Sequence, residues 1–192
     1  LLILMQTLNL FGSTGTIGIK TLKIIKNYFP KIRINLLVAN NNYKKLAKQC
    51  EIYNPKYICL TNNNRYKNLK KILNNKKIKI LKEEELSNFL ITNNSNLTIL
   101  SISGYASLNY IYSIIINTKH LGIVNKECII SGGDLIRKLC SKYKTKLYAL
   151  DSEHFSIQNY FNTKKNIKNN NIRNIILTAS GGPFLNKKFK DI

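Results

Sequence analysis

Residues 9–22 read NLFGSTGTIGIKTL, a run in which Gly12, Gly15 and Gly18 are spaced three residues apart. The glycines follow an apolar stretch and precede a segment with helical periodicity, so the pattern predicts a strand, a tight turn and a helix. In such a turn the glycines let the backbone approach a pyrophosphate, which the N–H groups at the start of the helix bind. The run therefore favours a dinucleotide-binding turn over the alternative, an ordinary strand-to-helix connection.

Outward from this turn, the chain alternates between strand and helix patterns. Strands are predicted at about 5–11, 33–39, 56–60, 76–80, 97–103, 122–124, 146–150 and 173–180, and helices at about 17–28, 43–53, 64–74, 106–118 and 133–143. The segment between the fourth and fifth strands is interpreted as a polar connection. This alternation predicts the α/β class, with a doubly wound, Rossmann-like parallel sheet. The Lys- and Asn-rich tract 163–171 is a candidate surface loop or domain boundary.

The amino-acid composition indicates which classes of binding partner to expect. Lys and Arg number 31 against nine Asp and Glu, which gives a formal net charge of +22. Such a charge is typical of nucleic-acid-binding proteins. Here it consists mainly of Lys accompanied by many Asn and Ile residues, as in 61–80, and we interpret it as mutational bias on solvated surfaces. We therefore expect no nucleic-acid partner.

Two further functional classes have little support in the sequence. The four cysteines form no CxxC pair, so neither a zinc site nor a disulfide framework is expected. The sequence contains no apolar run of 18 residues or more, so we expect no membrane partner. The first residue is Leu rather than Met, which indicates a fragment.

The cofactor class depends on residues 38–45, VANNNYKK, which follow the second predicted strand. A site for NAD usually has a carboxylate here that binds the ribose 2′-hydroxyl. Asn40, Asn41 and Asn42 could instead donate hydrogen bonds to a 2′-phosphate, and Lys44 or Lys45 could supply positive charge, which favours NADP. An Asn-rich turn that reflects the compositional bias is an equally good interpretation.

The segment DSEH (151–154) places Asp151 and Glu153 directly after an apolar stretch. In extended geometry, residues i and i+2 project to the same side and could share a cation. Oxygen ligands suit Mg²⁺ or Mn²⁺ better than zinc. The alternative is the N-terminus of a helix, with Asp151 or Ser152 as the capping residue.

Polar residues also follow two other predicted strands. Asn125, Lys126 and Glu127 end the segment GIVNKE (122–127), and Ser180 lies in LTASGGPF (177–184). Because ligands bind beyond the carboxyl ends of the strands in an α/β sheet, these segments are expected to meet the glycine turn and DSEH at one site.

Together, GSTGTIG (12–18), NKE (125–127), DSEH (151–154) and SGGPF (180–184), in this order and spacing, resemble the 1-deoxy-D-xylulose 5-phosphate reductoisomerase family. The resemblance covers essentially the whole chain. It implies an NADP-dependent oxidoreductase of non-mevalonate isoprenoid biosynthesis. With NADPH and Mn²⁺ or Mg²⁺, such an enzyme rearranges and reduces a sugar phosphate, 1-deoxy-D-xylulose 5-phosphate, to 2-C-methyl-D-erythritol 4-phosphate.

The resemblance also implies roles for individual residues. The residues matching NADPH contacts are Thr14, Gly15, Thr16, Ile17, Asn40, Asn41, Asn42, Asn125 and Glu127. Those matching metal ligands are Asp151 and Glu153; those matching substrate contacts are Lys126, Ser152, Glu153 and Ser180; and Lys126, Asp151 and Glu153 match catalytic positions. The chain departs from the family at 40–42, where Asn-Asn-Asn replaces Gly-Lys-Asn, so the family lysine is missing.

For domain organisation, the resemblance implies an NADPH-binding domain at 1–150 and the start of an α+β catalytic domain at 151–192. Family members continue beyond this point with further metal and substrate ligands, so we expect a fragment that is inactive alone. The family also implies a homodimer in the cytoplasm of a bacterium or endosymbiont, or in a plastid-type organelle lumen. Two alternatives remain: a catalytically degenerate NADP-binding module, and a semialdehyde dehydrogenase with Cys128 as its nucleophile.

Overall fold

The computed structural model describes residues 6–73, 77–163 and 173–176, and the chain divides into two compact units, Leu1–Asp151 and Ser152–Ile192. The strands of the first unit are β1 (Thr7–Phe11), β2 (Arg33–Ala39), β3 (Tyr57–Leu60), β4 (Lys79–Leu81), β5 (Ser95–Leu100), β6 (Thr118–Ile123) and β7 (Lys146–Ala149). Its α-helices are α1 (Thr16–Tyr28), α2 (Tyr43–Tyr53), α3 (Tyr66–Ile72), α4 (Glu83–Thr92), α5 (Ile111–Ile115) and α6 (Lys126–Tyr143), and α7 (Ser152–Thr163) lies in the second unit.

The described strands form one parallel sheet in the order β4-β3-β2-β1-β5-β6-β7. The chain builds outward from β1 to one edge, then returns to the other side of β1 and builds outward again. The strand order therefore reverses between β1 and β5, which is the topological switch point where ligands of such sheets bind. The predicted doubly wound, Rossmann-like sheet is confirmed.

Both faces of the sheet are covered by helices, which explains why the central strands are apolar on both sides. Alternate residues of each strand point to opposite faces, so Leu10 and Phe11 on β1 belong to different cores. Helices α1, α2 and α3 pack on one face through Leu22, Ile25, Leu46, Ala47, Cys50 and Leu69. Helices α4, α5 and α6 pack on the other through Leu86, Phe89, Leu90, Ile111, Ile114, Ile115, Cys128, Ile136 and Cys140.

The structure differs from the sequence predictions at several elements. The connection read as polar contains α4, and the helix expected at 106–118 is a 3₁₀ turn (Tyr105–Tyr110) followed by the short α5. Helix α6 begins at Lys126, seven residues earlier than the start predicted at 133. In the strand expected at 173–180, residues 173–176 have neither helix nor strand structure, and 177–180 lie outside the described residues.

Candidate dinucleotide site

The glycine turn joins β1 to α1 at the switch point. The N–H groups of Gly12 and Ser13 both donate to the Val38 carbonyl at the end of β2, at 2.9 and 3.0 Å. On the other side, Ser101 follows β5 and donates from its Oγ to the Phe11 carbonyl at 2.5 Å. Gly12 has φ +75°, and a Cβ there would lie 2.4 Å from the Ser101 carbonyl oxygen, so a larger residue does not fit. The turn is therefore held between the carboxyl ends of β2 and β5.

The start of α1 presents free backbone donors at this turn. The N-cap residue is Gly15, which has no side chain with which to cap the helix, and the first turn contains no acidic residue. The first N–H groups of a helix have no intrahelical acceptor. At the starts of α2 and α6, by contrast, Asn42 and Asn125 accept hydrogen bonds from the Lys45 and Cys128 N–H groups. The arrangement at α1 suits an anion such as a pyrophosphate.

Helix α2 is fixed to the turn by two side chains, Gln49, which the sequence analysis did not identify, and Lys45, which it named only as a source of positive charge. Gln49 is buried and donates from its Nε2 to the Ser13 carbonyl at 2.7 Å. The Lys45 ammonium lies 3.4 Å from the next carbonyl, that of Thr14. Ser13 Oγ and Gln49 Oε1 are buried without a hydrogen-bond partner among the described residues, and a water or ligand at the turn would satisfy them. The residues present thus fit a phosphate-bearing cofactor.

The predicted cofactor contacts of the turn and of the end of β2 lie on the same edge of the sheet. Gly15, Thr16 and Ile17 are exposed, and Thr14 is half-buried. The exposed run 40–42 directly follows β2, the strand next to β1. Within that run, the Asn41 Oδ1 accepts a hydrogen bond from the Asn62 Nδ2 beyond β3. The run after β2 therefore offers neutral amides, one of which is anchored to the neighbouring connection.

Asn125 has a structural role that the sequence did not show. It is buried, caps α6, and donates from its Nδ2 to the carbonyls of Ile102 and Gly104. These bonds join the connection after β5 to the start of α6. Since the side chain is occupied in this way, we expect any cofactor contact at position 125 to come from its backbone.

The next predicted residues also lie at the carboxyl edge of the first unit. Lys126 and Glu127 are exposed in the first turn of α6, which follows β6. Asp151 is buried and follows β7, whose extension is bonded to β6 by the Leu150 N–H and the Ile123 carbonyl at 2.8 Å. This places them on the β5–β7 side of the switch point, opposite Asn40–Asn42.

The expectation that DSEH is extended is wrong. Ser152 and Glu153 begin α7, as in the helix alternative, and the Ser152 Oγ donates to Glu153 Oε2 at 2.9 Å. Asp151 ends the first unit, and Glu153 belongs to the second. Within the residues that the structure describes, no three His, Cys, Asp or Glu side chains are grouped as a metal site. Ser180 lies outside the described residues.

Cys128 does not have the properties of a catalytic nucleophile. It is fully buried, and burial raises the pKa of its thiol above the ordinary value. Because the thiolate is the reactive form, a buried thiol with a raised pKa is inert. This argues against the semialdehyde dehydrogenase alternative.

A concave surface at the opposite, amino-terminal edge of the strands is lined by Gln6, Asn96, Leu97, Lys119 and His120. It contains none of the predicted site residues. Over the part of the chain that the structure describes, no helix is both long and apolar enough to cross a membrane.

Comparison with known families identifies the family to which the chain belongs. The family profile of 1-deoxy-D-xylulose 5-phosphate reductoisomerase matches residues 8–133, and the profile of that enzyme's C-terminal domain matches residues 147–192. The chain belongs to the 1-deoxy-D-xylulose 5-phosphate reductoisomerase family. The resemblance inferred from the four motifs is thereby confirmed.

Two relatives that carry this family's name come from bacteria. The reductoisomerase of Pelagibacter ubique is 43% identical over 98% of this chain and 49% of its own length. That of Buchnera aphidicola is 36% identical over 98% of this chain and 50% of its own length. The chain thus spans about half the length of the curated relatives it matches.

Solved structures of the family share the fold. The reductoisomerase of Zymomonas mobilis in complex with NADPH superposes with a TM-score of 0.80, at 28% identity over 97% of this chain and 48% of that one. A reductoisomerase in complex with NADPH, fosmidomycin and magnesium has a TM-score of 0.72, at 28% identity over 78% of this chain and 37% of that one.

Proposed function

We propose that this chain is the NADPH-binding domain and the start of the catalytic domain of a 1-deoxy-D-xylulose 5-phosphate reductoisomerase, with the division near residue 150. The observation that carries the proposal is the uncapped N-terminus of α1 beside the glycine turn, at the switch point of the sheet. Support comes from the family membership and from the relatives solved with NADPH and with magnesium.

The two sides of the switch point are proposed to bind different halves of the cofactor. In a doubly wound sheet the pyrophosphate lies at the switch point, and the two halves of the dinucleotide extend to either side. We assign the adenosine half to the β2 side, with Asn40–Asn42, and the nicotinamide half to the β5–β7 side, with Lys126 and Asp151. Substrate would then lie beside the nicotinamide, where the Lys126 ammonium can bind an oxygen of the sugar phosphate.

The proposed metal ligands are Asp151 and Glu153. They lie two residues apart, so the chain keeps their Cα atoms within roughly 7.6 Å of each other whatever its conformation. Mg²⁺ is commonly bound by one or two carboxylates, with substrate and water oxygens completing its shell. The carboxylates thus fit the ion as a donor set, and Ser152 and Ser180 are the proposed substrate contacts beside it.

Once bound, the cation would polarise the substrate's carbonyl and hydroxyl oxygens for rearrangement, and NADPH would supply the hydride for reduction. The chain's own contribution is position and charge. The α1 N-terminus holds the pyrophosphate, Asp151 and Glu153 hold the cation, and Lys126 orients the substrate. By family resemblance we also propose a homodimer, located in a bacterial or endosymbiont cytoplasm or a plastid-type lumen.

The test uses the protein encoded by the complete native reading frame, with NADPH oxidation followed in the presence of 1-deoxy-D-xylulose 5-phosphate and Mn²⁺. We expect turnover in the wild type and a loss of at least about 100-fold in Asp151→Asn and Glu153→Gln, because each removes a charged metal ligand. NADPH affinity should be unchanged in both variants.

Glu51→Gln is the matched control, since it removes a carboxylate from the far end of α2, away from the proposed metal ligands. Its turnover should equal that of the wild type. NADPH binding without turnover in the complete protein would contradict the enzyme assignment and support the degenerate binding module.

A further inference from the structure

The region around the proposed adenosine half contains one well-placed cation. The run 40–42 after β2 consists of neutral amides, and Asn41 is bonded to Asn62. In the first turn of α2, the Lys45 ammonium reaches back to the Thr14 carbonyl of the glycine turn, at 3.4 Å. The cation therefore approaches the turn from the β2 side, the side where a Rossmann-like site binds the adenosine ribose.

The face of α2 that meets the turn is defined by two side chains four residues apart. Lys45 and Gln49 lie on the same face of the helix because residues i and i+4 are neighbours there. They bond the carbonyls of Thr14 and Ser13 respectively. Gln49 is buried and Lys45 is exposed, so the ammonium lies at the solvent-facing rim of the turn, while Gln49 fixes the helix behind it. Lys44, the neighbouring cation, is rotated about 100° from this face.

The electrostatic surroundings favour a doubly charged anion at this rim. Residues 1–50 contain no Asp or Glu, and the first carboxylate in the sequence is Glu51. Glu51 lies six residues after Lys45 on α2, about 9 Å along the helix axis. A lysine ammonium has three donors, and the Thr14 contact uses one of them. Lys45 can therefore bind a phosphate oxygen and keep its position on the turn.

We infer that Lys45 is the residue that selects NADPH over NADH in this chain, by binding the 2′-phosphate. The inference rests on the proposed function for the cofactor itself and adds the residue that sets its specificity. Lys44, which the sequence offered equally, has no such role.

The test measures equilibrium binding of two ligands to the complete protein: adenosine 2′,5′-bisphosphate and AMP, which differ only by the 2′-phosphate. In Lys45→Gln, we expect affinity for the bisphosphate to fall on the order of tenfold, because one charge-assisted hydrogen bond is lost. Affinity for AMP should stay within about twofold. Lys45→Arg should retain most of the preference for the bisphosphate.

Lys48→Gln is the matched control, with the same charge change on an exposed face of the same helix, and it should leave both affinities unchanged. Equal losses for the two ligands in Lys45→Gln would place Lys45 on the 5′-phosphate and overturn the inference, as would a selective loss in Lys44→Gln instead. If the wild type turns over substrate while Lys45→Gln keeps its preference for the bisphosphate, the inference fails and the proposed function stands. If the wild type binds neither ligand, both fail.

Discussion

Gly15 and Gly18 belong to the same turn but differ in the space around them. A Cβ on Gly18 would lie 2.3 Å from the Gly12 carbonyl oxygen and 2.7 Å from the Ser13 Cα, so the helix could not pack this closely against the turn. A Cβ on Gly15 would lie 3.3 Å from the same oxygen, at an ordinary φ of −78° and facing solvent. The spacing in the sequence marks both positions, but the structure shows that close packing requires glycine only at position 18.

Alanine substitutions at Gly18 and Gly15 should have different effects, the first on stability and the second on NADPH binding. Gly18→Ala should lower the free energy of unfolding by about 1–3 kcal/mol, because backbone atoms must move to admit the methyl group. Gly15→Ala should cost less than about 1 kcal/mol but weaken NADPH binding on the order of tenfold, since the methyl group fills the space that a pyrophosphate approaches. Urea unfolding and NADPH titration measure the two effects. A Gly15→Ala protein that binds NADPH normally would argue against phosphate binding at this turn.

At the scale of elements, errors in the prediction have physical causes. The N-terminal seven residues of α6 were missed because Gly132 and Gly133 look like a helix break, yet the Asn125 cap and the buried contacts of Cys128 and Ile136 stabilise the helix through them. Helix α4 was missed although its signal was present. Leu86, Phe89 and Leu90 form the i, i+3, i+4 stripe of an amphipathic helix. The three acidic residues of its first turn made the segment look like a polar connection.

Substitution of Gly132 or Gly133 in α6 by alanine should change the free energy of unfolding by different amounts. A Cβ on Gly133 would make an ordinary contact at 3.6 Å with Ile129, so Gly133→Ala should raise the free energy of unfolding by about 0.5–1 kcal/mol through helix propensity. A Cβ on Gly132 would lie 2.8 Å from the Leu108 Cδ2, so Leu108 must move and the gain should be absent. Chemical denaturation of the two variants against the wild type measures the difference. Equal stabilisation by both would show that Leu108 packs loosely against α6.

Over the whole molecule, the sequence predicted the features that depend on local patterns and missed the contacts between residues that are far apart in the chain. Alternating strands and helices sufficed for the doubly wound sheet, and strand-end polarity sufficed to place the turn, Asn125 and Asp151 at one edge. The bond from Gln49 to the Ser13 carbonyl joins residues 36 positions apart and has no local signature. The same limit applies to Lys45, whose reach toward the turn depends on how α2 lies against α1 and could not be distinguished from that of Lys44.

Three cysteines and one tyrosine whose pKa values are raised lie in or against the core on one face of the sheet. Burial, with smaller contributions from Glu83 and Glu85, raises the pKa of the Cys59 thiol from 9.0 to about 12. Burial and the hydrogen bond from its hydroxyl to Glu83 Oε1, at 3.1 Å, raise the pKa of Tyr110 to about 12. Burial also raises the pKa values of Cys128 and Cys140. The native state holds these protons at a pH where the unfolded chain releases them.

The free energy of unfolding should therefore fall as the pH rises from about 9 towards 12. A raised pKa stabilises the native state fully below the unfolded value and loses its effect as the pH approaches the folded value. Cys59→Val removes one such group, so its free energy of unfolding should fall less than that of the wild type as the pH rises to 11. The difference should reach up to roughly 2.5 kcal/mol, at 1.36 kcal/mol per pKa unit. The neighbouring Ile58→Val, which changes buried volume in the same strand and keeps the thiol, should differ from the wild type by a constant amount at every pH. Parallel pH profiles for the wild type and Cys59→Val in urea unfolding would show that the thiol ionises normally in the native core.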